Sequence, residues 1–323
     1  MDTRGGNVLV LATGGSIAQT SPSDPTLTAE VLLEAIPELR TKFRITVEQI
    51  AQVSSPDVTP ELWLRLASRI NKALADDNVR GIVVTHGTDT LEETAYFLNL
   101  VVESEKPVVV AGAMRRPYSL GADGAANFHN AVVVANSTAA KGRGVLATFN
   151  SEIHSARDVT KTTSNLDAFK SPNFGPLGCI VDERPHFYRT LERKHTAASA
   201  LHIETGVLPP VAILYSYAGV ASDILEATMA GGYKGIVWAG TGSGNVPKSI
   251  RPAAAEAVRK GVVFVRSSRL NSYPIKRNDE VDDDALGFVT ADSLNPQKAR
   301  VLLMLSLTQT RDPVKIQEFF ATH

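Results

Sequence analysis

The 323-residue chain carries 33 Lys and Arg against 34 Asp and Glu, a formal charge of −1, so it has no general attraction for nucleic acid, acidic polymers or an anionic membrane surface. With 43% hydrophobic and 21% charged residues it is a globular chain long enough for two medium domains. A single cysteine, Cys179, excludes an internal disulfide, and no Cys or His spacing points to structural zinc.

The first element is the apolar run "NVLVLA", too short for a signal h-region or a membrane span, so a cytoplasmic protein is expected. It leads into "LATGGSIAQT", where two glycines and a hydroxyl follow a strand directly. Two readings stay open for this turn. One is a tight strand-to-helix connection that needs glycine backbone angles; the other is a site that presents Ser16 and neighbouring amides to a small substrate. Next, "TPELWLRLASRINKALADD" predicts a helix with Thr59 as N-cap, Pro60 at the first position, and Leu62, Leu66, Ile70 and Leu74 at helical spacing. Apolar strands "RGIVVTH", "PVVVAGA" and "GVLATFN" follow, separated by further amphipathic segments.

This alternation predicts an α/β protein with a mainly parallel sheet, whose ligands gather beyond the carboxyl ends of the strands. The stretch "TLERKHTAASALHIETGVLPP" has no sustained period and closes on two prolines, which marks residues 190–210 as an interdomain connection between a domain at 1–189 and another at 211–323. In the second, the strands "VAILYSY", "GIVWAG" and "GVVFVRS" precede a final helix. That helix is capped by Asn295, begins at Pro296 and buries Val301, Leu302 and Leu305.

Three segments bear on the chemistry, two for it and one against a cofactor. In "VTHGTDTLEETAYFL", Thr88, Asp89 and Thr90 stand where a helix begins, and capping of its free amides accounts for such residues. The same glycine-then-hydroxyl pattern occurs at Gly14 to Ser16, however, and two such strand ends can set nucleophiles and backbone donors around one small carbonyl. In "SARDVTKTTSNLDAFKSPNFGPLG", Lys161 is either solvated or, if beside Thr88, a base for a weakly nucleophilic hydroxyl. The third, "GIVWAGTGSGN", imitates a dinucleotide-binding turn, but Gly240, Gly242 and Gly244 miss the fingerprint spacing and no acid closes a following strand, so no nicotinamide cofactor is expected.

The ordered segments "TGGSIA", "THGTDTLEETAYFL", "GAMR", "GADGAANFHNAV", "RDVTKT", "GPLG" and "NPQKARVLL" make the chain, over nearly its whole length, similar to the bacterial L-asparaginases. The resemblance implies a larger N-terminal and a smaller C-terminal α/β domain, and a homotetramer of intimate dimers with sites at the dimer interface. It places the first nucleophilic hydroxyl on Ser16, where the family usually has threonine, and the second catalytic group on Thr88, Asp89 and Lys161. Gly15, Ser55, Pro56, Thr88, Asp89 and Ala113 would line the substrate; Ser55 would hold its α-carboxylate, and Asn245 and Glu280 would reach its ammonium from the neighbouring subunit. Glu280 also lies in an acidic run, "NDEVDDDALGFV", which reads equally as a solvated loop. No metal or cofactor is implied.

The implied reaction is hydrolysis of the side-chain amide of L-asparagine to L-aspartate and ammonia through an acyl-enzyme, with glutamine or a bulkier amide as further candidate substrates. The alternative is an amino-acid-binding protein of the same fold that has lost turnover. Two departures from the family pattern bear on the substrate. The segment "QTSPSDPTLTAE" is shorter than the family's lid and lacks its tyrosine, the first tyrosine being Tyr96; and Pro56 offers only a ring and a carbonyl where a polar side chain is usual. A barer site, tuned away from asparagine toward a bulkier or substituted amide, is expected.

Overall fold

The computed structural model describes residues 6–15, 33–34, 36–203, 206–270 and 274–323. They form two compact units, Met1–Ser199 and Ala200–His323.

In the first unit, β1 (Asn7–Gly14), β2 (Arg44–Val53), β3 (Val79–Thr85), β4 (Val108–Ala111), β5 (Val145–Phe149), β6 (Glu152–Ser155), β9 (Gly178–Val181) and β10 (Arg184–Phe187) build one eight-stranded sheet in the order β10-β9-β6-β5-β4-β3-β1-β2. From β5 to β2 the neighbours are parallel. β1, β3 and β4 are covered on both faces, which is why their sequences are nearly continuous runs of Val, Leu, Ile and Ala.

The remaining three pairings are antiparallel, so the sheet is mixed. Two tight turns cause this. Asn150 and Ser151 (φ 49° and 61°) between β5 and β6, and Asp182 and Glu183 (φ 48° and 59°) between β9 and β10, all adopt the left-handed backbone that a two-residue hairpin requires. Only Asn150 and Asp182 are residues that favour that conformation, so the sequence gives little sign of either hairpin. β7 (Thr160–Lys161) and β8 (Phe169–Lys170) form a separate small ladder.

The first long helix satisfies its own start and buries one stripe. For the helix Pro60–Leu74, the Thr59 hydroxyl accepts from Leu62 N–H, and Leu62, Trp63, Leu66, Ile70 and Leu74 are buried. Each large apolar side chain so covered contributes about 1.5–3 kcal/mol relative to exposure. The helix Leu91–Val101 is buried almost all round, with Trp63 and Phe97 stacked at 5.3 Å between the two. On the sheet, Phe128, Val132 and Ala135 of the helix Gly124–Ala135 pack against Val10, Val83 and Val109.

The strand order positions the site. The chain leaves β1, forms β2 on one side, then returns across β1 to form β3 on the other. β1 and β3 are in register to the end, with Ala12 opposite Thr85. This reversal of strand order falls at their carboxyl ends, the place where open α/β sheets bind ligands.

The second unit is a four-stranded parallel sheet, β11 (Val211–Tyr215), β12 (Gly235–Gly240), β13 (Val263–Ser268) and β14 (Val289–Thr290), in that order. The helix Pro296–Gln309 is capped by Asn295, whose side chain accepts from Lys298 N–H. Besides Val301, Leu302 and Leu305 it buries Leu303, Met304 and Leu307, because it lies against β11, β12 and β13 on one side and the helix Pro313–Thr322 on another. The α/β class and the larger and smaller sheet domains expected from the sequence are those of the structure.

Candidate active site

Five chain segments of the first unit converge beyond β1 and β3. The Gly14–Gly15 turn, with Gly15 at φ +87°, runs against the backbone of His86 and Gly87. Ser55, at the start of the short turn Ser55–Asp57 after β2, is buried beneath the 86–90 segment. Its Oγ accepts the Asp89 N–H at 3.1 Å, and its carbonyl accepts from Thr90 Oγ1 at 2.7 Å.

Thr90 is the N-cap residue of the helix Leu91–Val101, yet it makes no side-chain cap bond; its hydroxyl is spent on Ser55. Capping therefore does not account for the polar run. The Thr88 and Asp89 side chains both meet Lys161. Its Nζ donates to Thr88 Oγ1 at 2.8 Å and to Asp89 Oδ1 at 2.6 Å, across more than 70 residues of sequence. Lys161 reaches them because β7 is tied down next door: Thr160 Oγ1 donates to the buried Glu92 carboxylate at 3.0 Å. The lysine side chain is only 19% exposed and Asp89 58%, so the hydroxyl and amine sit on the protein side of the pair and the carboxylate on the solvent side.

Gly112 closes another wall, since a Cβ there would lie 2.7 Å from the His86 carbonyl oxygen and 3.2 Å from Thr88 Cγ2. Ala113 follows it and is buried. The 112–115 segment is held by Asp123, whose carboxylate accepts from Met114 N–H at 3.0 Å and Arg115 N–H at 2.8 Å, while Asn127 donates to both Asp123 and the Gly112 carbonyl.

Beneath the site lies His86, fully enclosed. Its Nδ1–H donates to the Gly87 carbonyl at 2.7 Å. Nε2 is then the acceptor for Thr94 Oγ1–H at 2.9 Å, and Thr94 Oγ1 accepts the Trp63 indole N–H at 2.8 Å. This one-way chain fixes the ring's tautomer and pins the peptide that precedes Thr88. Burial pushes the imidazole down from 6.5 to about 4, so it is neutral at pH 7.

The structure thus brings together Gly15, Ser55, Thr88, Asp89, Lys161 and the segment bearing Ala113. Pro56 sits beside Ser55 with its ring exposed. Ser16 and the "QTSPSDPTLTAE" segment lie outside the described residues. Asn245 and Glu280 belong to the second unit. Asn245 is half-buried in the turn after β12, and Glu280 is exposed in the segment that follows β13. In that turn the near-fingerprint glycines have a structural reason: a Cβ on Gly240 would meet Gly244 and Asn245 backbone atoms at 2.4–2.7 Å, because the loop folds straight back on the strand end. Among the described residues no group of three or more His, Cys, Asp and Glu side chains could hold a metal ion.

His86, Asp123 and Glu92 had no sequence signal of their own. His86 lay within a motif already noted, between a buried strand end and a glycine. Asp123 stands at the N-cap position of the helix Gly124–Ala135, yet it makes no cap bond because its carboxylate turns back to the 114–115 amides.

This arrangement, a hydroxyl on a half-buried amine with glycine backbones beside it, is suited to attack on a small carbonyl. Comparison with known proteins finds matches in both halves of the chain. The family model described as "Asparaginase, N-terminal" matches residues 7–193, and that described as "Glutaminase/Asparaginase C-terminal domain" matches residues 210–320. The chain is 46% identical to the "Probable L-asparaginase periplasmic" of Haemophilus influenzae, over 97% of this chain and 92% of that one. It is 45% identical to "L-asparaginase 2" of Escherichia coli over 97% and 92%, and 43% identical to the "Glutaminase-asparaginase" of Pseudomonas fluorescens over 98% and 91%. Among solved structures, that of the "Probable Cytoplasmic L-asparaginase from Campylobacter jejuni" superposes with a TM-score of 0.93 at 45% identity, covering 98% of this chain and all of that one. Matched from the first strand to the last helix, this chain belongs to the asparaginase/glutaminase family.

Proposed function

We propose that the protein hydrolyses the side-chain amide of L-asparagine to L-aspartate and ammonia, with L-glutamine as a second substrate. The observation that carries this reading is the position of Lys161 Nζ, 2.8 Å from Thr88 Oγ1 and 2.6 Å from Asp89, at the edge where Gly15 meets Gly87.

In the proposed sequence, the Ser16 oxygen adds to the amide carbon and its proton passes to the departing nitrogen through the Thr88–Lys161 pair. The C–N bond breaks, ammonia leaves and an acyl-enzyme ester remains. Water, deprotonated by the same pair, adds to the ester carbon; the C–O bond breaks, aspartate leaves and Ser16 regains its proton. Amides of the two glycine turns would face the oxyanion, each such donor being worth roughly 3–4 kcal/mol in related chemistry. Serine in place of threonine keeps the attacking oxygen but lacks the β-methyl that restricts its rotamer, which argues for a slower attack.

Substrate recognition follows from what each group has left to offer. Ser55 Oγ already accepts from Asp89 N–H, which leaves its own proton for the substrate α-carboxylate. Asp89 and Glu280 supply the negative charge an ammonium needs, with Asn245 beside it. Pro56 adds only a ring and a carbonyl, which favours tolerance of a bulkier or substituted amide. The proposal includes a homotetramer in which each subunit lends its Asn245 and Glu280 to a neighbouring site, and a division of the chain at the 190–210 connection. The compartment we propose is the cytoplasm, as in the name of the Campylobacter jejuni protein; the Haemophilus influenzae relative carries the periplasm in its name, so fractionation of the native host decides.

The test is ammonia release from L-asparagine, L-glutamine and a panel of N-substituted amides, with wild type, Ser16→Ala, Thr88→Ala and Lys161→Met. Each substitution is expected to lower kcat by at least about 10²-fold, the lower end for a lost acid, base or nucleophile. Full activity in Ser16→Ala and Thr88→Ala would sink the mechanism.

A further inference from the structure

Two arginines in the second unit bind the segments that carry Asn245 and Glu280 to each other. Arg266 on β13 is fully buried, and all five of its N–H groups are used. Nε donates to Asp283 Oδ1 at 2.6 Å and Nη2 to Asp283 Oδ2 at 2.7 Å, a two-point ion pair. Nη1 donates to the carbonyls of Ser243 and Gly244, directly before Asn245, at 3.3 and 3.1 Å. The last Nη2 hydrogen goes to the Lys276 carbonyl at 3.2 Å, and Asp283 Oδ2 also takes the Asn278 N–H at 2.9 Å, both in the segment that leads to Glu280.

Arg251 repeats the connection nearer the surface. Its Nε donates to the carbonyl of Val246, directly after Asn245, at 3.0 Å, and its Nη2 to the carbonyl of Glu280 itself at 3.2 Å. The Asn245 carbonyl is held as well, by the Trp238 indole N–H at 3.0 Å.

We propose that Arg251 and the buried Arg266–Asp283 pair are positioning residues that present Asn245 and Glu280 as one preformed unit to the ammonium group of the amino-acid substrate. This rests on the reading that those two side chains recognise that ammonium. The physical need is clear: Glu280 is an exposed charge on an exposed segment, and a free carboxylate there would lose in ordering much of what it gained in attraction. Tying both segments to buried or half-buried guanidinium groups meets that cost during folding. Lysine cannot substitute at Arg266, because three donors from a point charge cannot satisfy a carboxylate and three carbonyls held in a plane.

The experiment measures kcat and KM for L-asparagine in Arg251→Ala, Arg266→Lys, Asn245→Ala, Glu280→Ala and the Asn245→Ala/Glu280→Ala double variant with and without Arg251→Ala. It also follows amide hydrogen exchange over residues 242–246 and 276–281. Arg251→Ala is expected to raise KM about tenfold with kcat within about threefold, as lost binding rather than lost chemistry. It should also speed exchange in both segments, and add nothing further in the double background. Arg266→Lys should do the same, and if it fails to fold the Arg251 series alone decides.

The inference is overturned if Arg251→Ala keeps a wild-type KM while Glu280→Ala loses affinity, or if its full effect persists in the double background. If instead Asn245→Ala and Glu280→Ala are themselves silent, it is the ammonium-recognition reading that fails and the inference goes with it.

Discussion

A Cβ built on Gly15 would stand 2.5 Å from the Gly87 nitrogen and 2.6 Å from its Cα, so these two strand-end glycines meet backbone to backbone. No flexible side chain can move aside, and Gly15 is also at φ +87°. Gly15→Ala is therefore predicted to cost about 2–4 kcal/mol, strain and overpacking together, and to lower kcat/KM by displacing the 86–88 segment. Gly142→Ala is the control. Its φ is +70° but nothing lies within 4 Å, so only the conformational cost of roughly 1–2 kcal/mol applies and activity is kept. Urea midpoints and steady-state kinetics of both variants check this; equal behaviour of the two would show that the close approach is not the constraint.

Asp123 gives a second prediction. Its carboxylate is the acceptor for two backbone N–H groups and for Asn127, and the segment it holds borders Thr88 through Gly112. Asp123→Ala leaves those donors without a partner, at about 1–3 kcal/mol. Because the slack falls on a wall of the site, kcat/KM is expected to drop at least about tenfold, more than a loss of stability of that size predicts for an enzyme that stays folded. Asp123→Asn, which keeps an acceptor oxygen, should fall between. A thermal melt alongside ammonia-release kinetics separates the two effects, and a variant that lost stability while keeping kcat/KM would show the clamp to be structural only.

How much of this could be read from the residues differs by scale. The strands and their alternation with helices were legible because β1, β3, β4 and β12 are covered on both faces, and such burial leaves an unbroken apolar run. The helix starts at Thr59 and Asn295 were legible for a local reason: cap and first turn lie within four residues. The hairpins at 150–151 and 182–183 were not, since Ser151 and Glu183 hold left-handed backbone that their side chains do not favour and the surrounding sheet imposes. Lys161 was legible only as a candidate. Its contact with Thr88 spans more than 70 residues and depends on Thr160 finding Glu92, a pairing that no spacing announces. The clasp of Arg251 and Arg266 was invisible for the same reason: Arg266 pairs with Asp283 across the sequence, and the other bonds go to backbone carbonyls, which every sequence has.

The enclosed His86 makes stability depend on acid in a direction that can be worked out. Its pKa is about 4 in the folded protein against 6.5 for the free side chain, lowered by burial. Between those values the unfolded chain holds the proton and the folded one does not, so unfolding takes up a proton and stability falls as pH falls from 6.5 to 4. The loss from this group reaches roughly 3 kcal/mol at pH 4, and above pH 7 it contributes nothing to the slope. His195 is half-buried and also lowered by burial, so it adds a smaller decline of the same sign. His86→Gln removes the titration while keeping polar atoms near Gly87 and Thr94. The variant is expected to be less stable than wild type at pH 7.5, where its hydrogen bonds are imperfect, yet to lose less on acidification, with the difference narrowing by 2–3 kcal/mol. Urea unfolding at pH 7.5, 6.0, 5.0 and 4.5, at one protein concentration, measures it. Parallel declines in wild type and variant would mean that His86 takes up its proton without disturbing the Trp63–Thr94–His86–Gly87 chain, and that the neutral ring is not what holds the peptide ahead of Thr88.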